Sequence, residues 1–192
     1  MSIEADIASL EGSGKLIKVE PFRSTKPAQR RLYLSEPGSR DLDGSQSAIS
    51  ALGLRADVAA AMTRWIVGEW IYGSPRARRF LHRLDPSPPE VWEFRVTEPF
   101  VQVRIVGRFA EMDTFIVSRI HTRDHLGDYG SQAWQDVKDE TQEMWDDLFP
   151  GRRLHIGTWM HHYIGKDFDD YEIQRQRPDG TRTRAVRRRP RS

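Results

Sequence analysis

The chain has 192 residues, 38% of them apolar and 30% charged, enough for one compact domain with appended segments and too few for two full domains and a linker. Six Trp, eight Phe and five Tyr supply the large side chains of a core, and the absence of cysteine excludes disulfide scaffolds, thiolate zinc sites, iron–sulfur clusters and cysteine nucleophiles. The net charge of +2 divides unevenly: between Arg175 and Ser192 eight arginines accompany one aspartate, a local +7 that leaves −5 for residues 1–174.

In chain order, the first 25 residues carry acids where a secretory signal has a basic start and an apolar run. No window approaches the roughly 20 apolar residues of a membrane-spanning helix. The sequence therefore reads as a soluble, cytoplasmic protein with no membrane partner. Residues 1–50 read as an N-terminal extension with two strand-like runs, Leu16–Val19 and Arg31–Leu34, separated by Pro21 and Pro27. Glu36–Ser45 reads as loop by composition. Gly12-Ser13-Gly14-Lys15 lacks the spacing and the following hydroxyl of a phosphate-binding loop.

Residues 51–174 are expected to form the core domain. Leu54, Val58, Met62, Trp65, Ile66 and Trp70 fall on one helical face, and Gly73 ends that helix. Ser74-Pro75 opens a second predicted helix, since a hydroxyl caps free amides and proline tolerates the first turn. It places Ala77, Phe80, Leu81 and Leu84 inward and Arg76, Arg78, Arg79, His82 and Arg83 outward, and Pro86, Pro88 and Pro89 stop it.

Val91–Val96 alternates, with Trp92, Phe94 and Val96 opposing Glu93 and Arg95. Phe100–Phe109 repeats the pattern with Val101, Val103 and Ile105 opposing Gln102 and Arg104, and Thr114–His121 forms a third strand. Short connections favour an antiparallel meander. His121–Asp128 then leaves as a loop. A helix from about Ser131 to Phe149 buries Trp134, Val137, Thr141, Met144, Trp145 and Leu148 and exposes Asp136, Asp139, Glu140, Glu143, Asp146 and Asp147. A further strand is expected around Leu154-His155-Ile156.

The order strand, two helices, three antiparallel strands, helix, together with Val91-Trp92-Glu93-Phe94-Arg95-Val96, Val103-Arg104-Ile105 and Phe115–His121, resembles the RelE/ParE toxin superfamily, in particular its HigB-like or phage-derived branch. The similar region runs from about Ala56 to Phe149. The resemblance implies an α+β fold, a small twisted antiparallel sheet packed by helices with N- and C-terminal extensions. It also implies a metal-independent endoribonuclease of a typically ribosome-dependent kind, with RNA or the ribosome and an antitoxin as partners and no cofactor. Its basic residues at the end of the third strand correspond here to Arg119, His121, Arg123 and His125.

Those residue types suit the chemistry. Histidine moves protons near its ordinary pKa of about 6.5, and arginine gives paired hydrogen bonds to phosphate. The competing reading is a solvated loop whose arginines pair with Asp124 and Asp128. Zinc at His121 and His125, with His155, His161 and His162 as further donors, needs a helix where the sequence reads loop, so no metal is expected. Arg76, Arg79, Arg83, Arg95 and Arg104 are candidate phosphate contacts or internal ion pairs.

The segment Arg175–Ser192, including Arg187, Arg188 and Arg189, reads as a disordered tail that either attracts nucleic acid or clasps the acidic helix. The alternative function is a non-catalytic, phage-derived assembly or adaptor protein that docks through the acidic helix and basic tail, with a homo-oligomer as one expected state. A DNA-binding regulator fits less well, because no helix-turn-helix spacing occurs and the body is acidic.

Overall fold

The computed structural model describes residues 2–72, 80–84, 87–97 and 101–173. Over these residues the fold is α+β, built on one six-stranded mixed sheet. The elements are α1 (Ile3–Gly12), β1 (Leu16–Lys18), β2 (Arg31–Ser35), α2 (Glu36–Asp43), α3 (Ala48–Ala51), α4 (Arg55–Ile66), β3 (Leu81–Leu84), β4 (Val91–Val96), β5 (Val103–Glu111), β6 (Thr114–Thr122), α5 (Arg123–Leu126), α6 (Gln132–Leu148) and a 3-10 turn at Met160–His162. The strand order is β1-β2-β6-β5-β4-β3.

The sheet is not wholly antiparallel, as the sequence suggested, because β2 runs parallel to β6 from Arg31 opposite Thr114 to Leu34 opposite Val117. The residues read as an N-terminal extension thus supply two of its six strands. Pairing across some 80 residues leaves no local signature.

The alternation in β4, β5 and β6 sorts residues between two faces. On one face Trp92, Phe94, Val103, Ile105, Phe109 and Phe115 pack with Ile49 of α3, Val58, Met62, Trp65 and Ile66 of α4, and Met160, Tyr163 and Ile164. Trp65 is fully buried and rests against Phe94 with ring centroids 5.2 Å apart; its truncation to alanine costs about 3–5 kcal/mol. On the other face Tyr33, Ala110 and Ile116 meet Met144 and Trp145 of α6, while Val91 and Val106 meet Trp134 and Val137. The expected stripe of the long helix is realised, and Ser131 caps it by accepting from the Trp134 amide.

Several sequence expectations need correction. Glu36–Ser45 is not loop: Ser35 accepts from the Gly38 amide and Pro37 occupies the first turn, so α2 forms. A Cβ on Gly38 would lie 3.0 Å from the Val117 carbonyl oxygen, so glycine there lets α2 press against β6. Leu81–Leu84 is strand, not the end of a helix, because its backbone pairs antiparallel with β4, Leu81 opposite Phe94 and Leu84 opposite Val91. Here tertiary pairing overrides a helix-compatible apolar spacing. The start of that predicted helix, with Arg76 and Arg79, lies outside the described residues, as do Arg187, Arg188 and Arg189. Residues 154–156 form no strand, and the His155 ring instead meets the His162 carbonyl at 2.7 Å. Among the described residues no helix is long and apolar enough to cross a membrane.

Candidate functional site

A cleft of about 910 Å³ opens where α2, the start of α3, β6, α5 and α6 meet. Its position follows from the sheet. β2 pairs with β6 only as far as Val117, and past that point the edge of β6 is covered by α2. Asp41 of α2 takes over from a neighbouring strand: its Oδ2 accepts the Ile120 amide at 2.9 Å and Arg119 Nε at 2.7 Å, and its Oδ1 accepts Arg119 Nη2 at 3.3 Å. Ser47 caps α3 by accepting from the Ser50 amide and donates to the Leu42 carbonyl at 3.3 Å, fixing the α2–α3 turn at the cleft's rim.

A register shift between Val106 and Gly107 lets β6 bulge at Ser118. After it, Arg119 faces Val106 and His121 faces Arg104, so the two side chains share one sheet face as their spacing predicted. Gly107 belongs to the same irregularity, since a Cβ there would sit 2.0 Å from the Ile116 carbonyl oxygen.

Of the four candidate catalytic residues, the structure brings Arg119, His121 and His125 to the cleft and takes Arg123 elsewhere. The segment after His121 is helix α5 rather than loop, because Thr122 accepts from the His125 amide and caps it. That turn stacks the His125 ring on His121, centroids 5.1 Å apart and planes 14° from parallel. The rings lie flat on each other instead of converging on a point. Among the described residues no group of three or more acids and histidines is arranged to hold a metal. The Arg123 guanidinium lies over Tyr129 at 5.1 Å and Trp134 at 6.0 Å, a cation–π contact at the start of α6.

The charges are compensated locally. Arg119 is held by Asp41 and also donates to Glu140. Burial works to lower its pKa, but the hydrogen bonds and charges of Asp41 and Glu140 outweigh that and hold it above the ordinary value. His121 goes the other way. Burial lowers it to about 4, Arg119 and His125 add to the drop, and Asp41 opposes it. At neutral pH it is an uncharged imidazole, and its Nε2 has no hydrogen-bond partner among the described residues.

The candidate phosphate contacts are likewise engaged. Arg95 and Arg104 sit directly opposite each other on β4 and β5, and both turn to the fully buried Glu93, with Arg95 Nε at 2.7 Å and Arg104 Nε at 3.1 Å. Tyr129 donates to the same carboxylate at 2.8 Å. Arg83 is buried against Glu90, Nη1 to Oε1 at 3.4 Å. Glu90 also accepts from Tyr163 at 2.5 Å, and burial together with that carboxylate raises the phenol's pKa.

The cleft contains four carboxylates, Asp41, Glu140, Glu143 and Asp147, against the guanidinium groups of Arg40 and Arg119. The sequence does not single out Asp41, because the composition of Glu36–Ser45 is that of a loop. The Ser35-Glu36-Pro37 start was the available signal. No family model, curated protein or solved structure gives a significant match to this chain. Fold and site together define an α+β protein with a mixed-charge, net acidic cleft beside an acidic helix.

Proposed function

We propose that this chain is a docking domain on a RelE-like scaffold, non-catalytic, that takes a basic, arginine-rich polypeptide on the outer face of α6 and in the adjoining cleft. One observation carries the reading. Within the described residues, the arginines expected to grip phosphate are committed to carboxylates, Arg83 to Glu90, Arg95 and Arg104 to Glu93, Arg119 to Asp41 and Glu140. Glu143 and Asp147 line the cleft without an ion pair among the described residues. Freeing Arg119 for a phosphate would break charge-assisted bonds of about 1.5–3 kcal/mol each. Adding a guanidinium beside Glu143 and Asp147 breaks none.

The test is fluorescence anisotropy with a labelled dodecapeptide rich in arginine and a single-stranded RNA of equal charge magnitude, at low and moderate salt. The peptide is expected to bind, more weakly as salt screens it, and the RNA to bind less. A preference for RNA overturns the docking reading.

A metal-independent endoribonuclease acting on RNA or the ribosome is the second reading, favoured by His121 and His125 in one cleft, where a neutral imidazole can accept a proton beside Arg119. The antiparallel strands β4–β6 followed by α6 agree with the later part of the order behind that resemblance, whereas three helices follow β2 and Leu81–Leu84 is a strand. Translation arrest or mRNA cleavage that disappears in the Arg119→Ala, His121→Ala double variant would establish it.

A further inference from the structure

The outer face of α6 carries Asp136, Asp139, Glu140, Glu143, Asp146 and Asp147, spaced three and four residues apart where like charges repel. Lys138, the single basic residue of this helix, is buried and donates to the Ser87 carbonyl at 2.8 Å. Gln132, Gln135 and Gln142 donate to Asp136, Asp139 and Asp146, which satisfies hydrogen bonds without neutralising charge. Glu140, Glu143 and Asp147 continue this face into the cleft, where the His121 Nε2 also lacks a partner among the described residues. Both the helix face and the cleft are matched to a cation with several donors.

The same chain contains such a ligand. Between Arg175 and Ser192 it has eight arginines, one aspartate and, of the aliphatic residues, only Ala185 and Val186. The described chain ends at Ile173, packed with α4 on the sheet face opposite α6. From there to Arg187 are 14 residues, an extended reach of about 45 Å. A domain of this length has a radius of gyration near 16 Å, so the run Arg187-Arg188-Arg189 reaches α6 around the sheet without a second copy.

We infer that residues 175–192 are the resident occupant of the α6 face and its cleft, held within the same molecule, and that a partner's basic segment must displace them. The inference rests on the docking reading and adds its regulation: the tail sets the threshold for partner binding. Tethering gives the segment an effective concentration of about 1 mM. For an intrinsic Kd near 100 μM this makes an external peptide bind about tenfold more weakly than it would to a vacant site.

The experiment uses the full-length protein and a full-length variant with Arg187→Gln, Arg188→Gln, Arg189→Gln and Arg191→Gln. The probe is a fluorescein-labelled peptide of this chain's residues 181–192. The variant is expected to bind it about tenfold more tightly than the parent. Adding Glu143→Gln and Asp147→Asn to the variant is expected to remove that gain, and a retained gain overturns the site. Equal affinity in parent and variant overturns the resident tail and leaves docking intact, whereas no binding by either overturns docking itself. Sedimentation velocity separates the remaining case: a parent dimer that becomes monomeric in the arginine variant places the tail in a second copy and overturns the intramolecular assignment.

Discussion

Acidifying the protein from pH 7 to pH 5 tests the burial of His121 in the cleft wall. Its pKa is lowered from 6.5 to about 4 in the fold, so over this interval the unfolded chain takes up a proton that the folded chain refuses. Its contribution to stability is fully present above the unfolded value and is lost as pH falls toward the folded one. Integrating between pH 7 and pH 5 with these two values gives a loss of about 2 kcal/mol, rising toward about 3 kcal/mol near pH 4. Urea denaturation of the parent and of His121→Asn at both pH values isolates the effect, since the variant lacks the titrating ring and its stability should fall less by that amount. Following the histidine Cε1 protons by NMR gives a direct reading. A parent whose His121 titrates near 6.5, or a variant whose stability falls as steeply as the parent's, would refute the claim that the cleft wall keeps this imidazole neutral.

Three other substitutions probe the charges around the sheet. Asp41→Ala removes the acceptor of the Arg119 guanidinium and the Ile120 amide and is expected to cost about 2–3 kcal/mol in urea denaturation, with faster amide exchange at Ile120. Glu93→Gln leaves Arg95 and Arg104 beside a neutral amide and is expected to cost about 3–5 kcal/mol, seen as a lowered Tm; an unchanged Tm would mean that the pair is not buried. Tyr163→Phe deletes the donor to Glu90 and the acceptor of the Gly157 amide, an expected loss of about 1–3 kcal/mol by the same denaturation assay.

The parts of the fold that were legible in the sequence are those with a local signature. Alternation placed β4, β5 and β6, and the stripe from Trp134 to Trp145 placed α6. What was missed depends on partners distant in sequence. β3 has apolar spacing that suits a helix and becomes strand through β4, and the parallel seam of β2 with β6 has no local mark. The site divides the same way. The spacing of Arg119 and His121 correctly put both on one face, but the neutralising Asp41 lies 78 residues from Arg119. A list of basic residues along a strand therefore resembled a phosphate site until the acids that meet them were placed. Asp124 and Asp128, near Arg119 in sequence, are not among the carboxylates that engage it.

The excess charge of the cleft decides which ligand class it prefers. Two uncompensated negative charges about 8 Å from a bound monocation contribute about 4 kcal/mol at an effective dielectric of about 20, and screening at physiological salt reduces this to between 1 and 2 kcal/mol. A phosphate at the same place is opposed by a similar amount, so a guanidinium and a phosphate differ there by about 2–4 kcal/mol, or some thirty- to a thousandfold in affinity. Asp41 and Glu140 share the single guanidinium of Arg119, and Glu143 and Asp147 are the cleft carboxylates with no ion pair among the described residues. Replacing these two by Gln and Asn is therefore expected to bring an arginine peptide and an RNA of equal charge magnitude to within about tenfold of each other in the anisotropy assay. A double variant that keeps the full preference for the peptide would locate the selectivity outside the cleft, on the outer acids Asp136, Asp139 and Asp146.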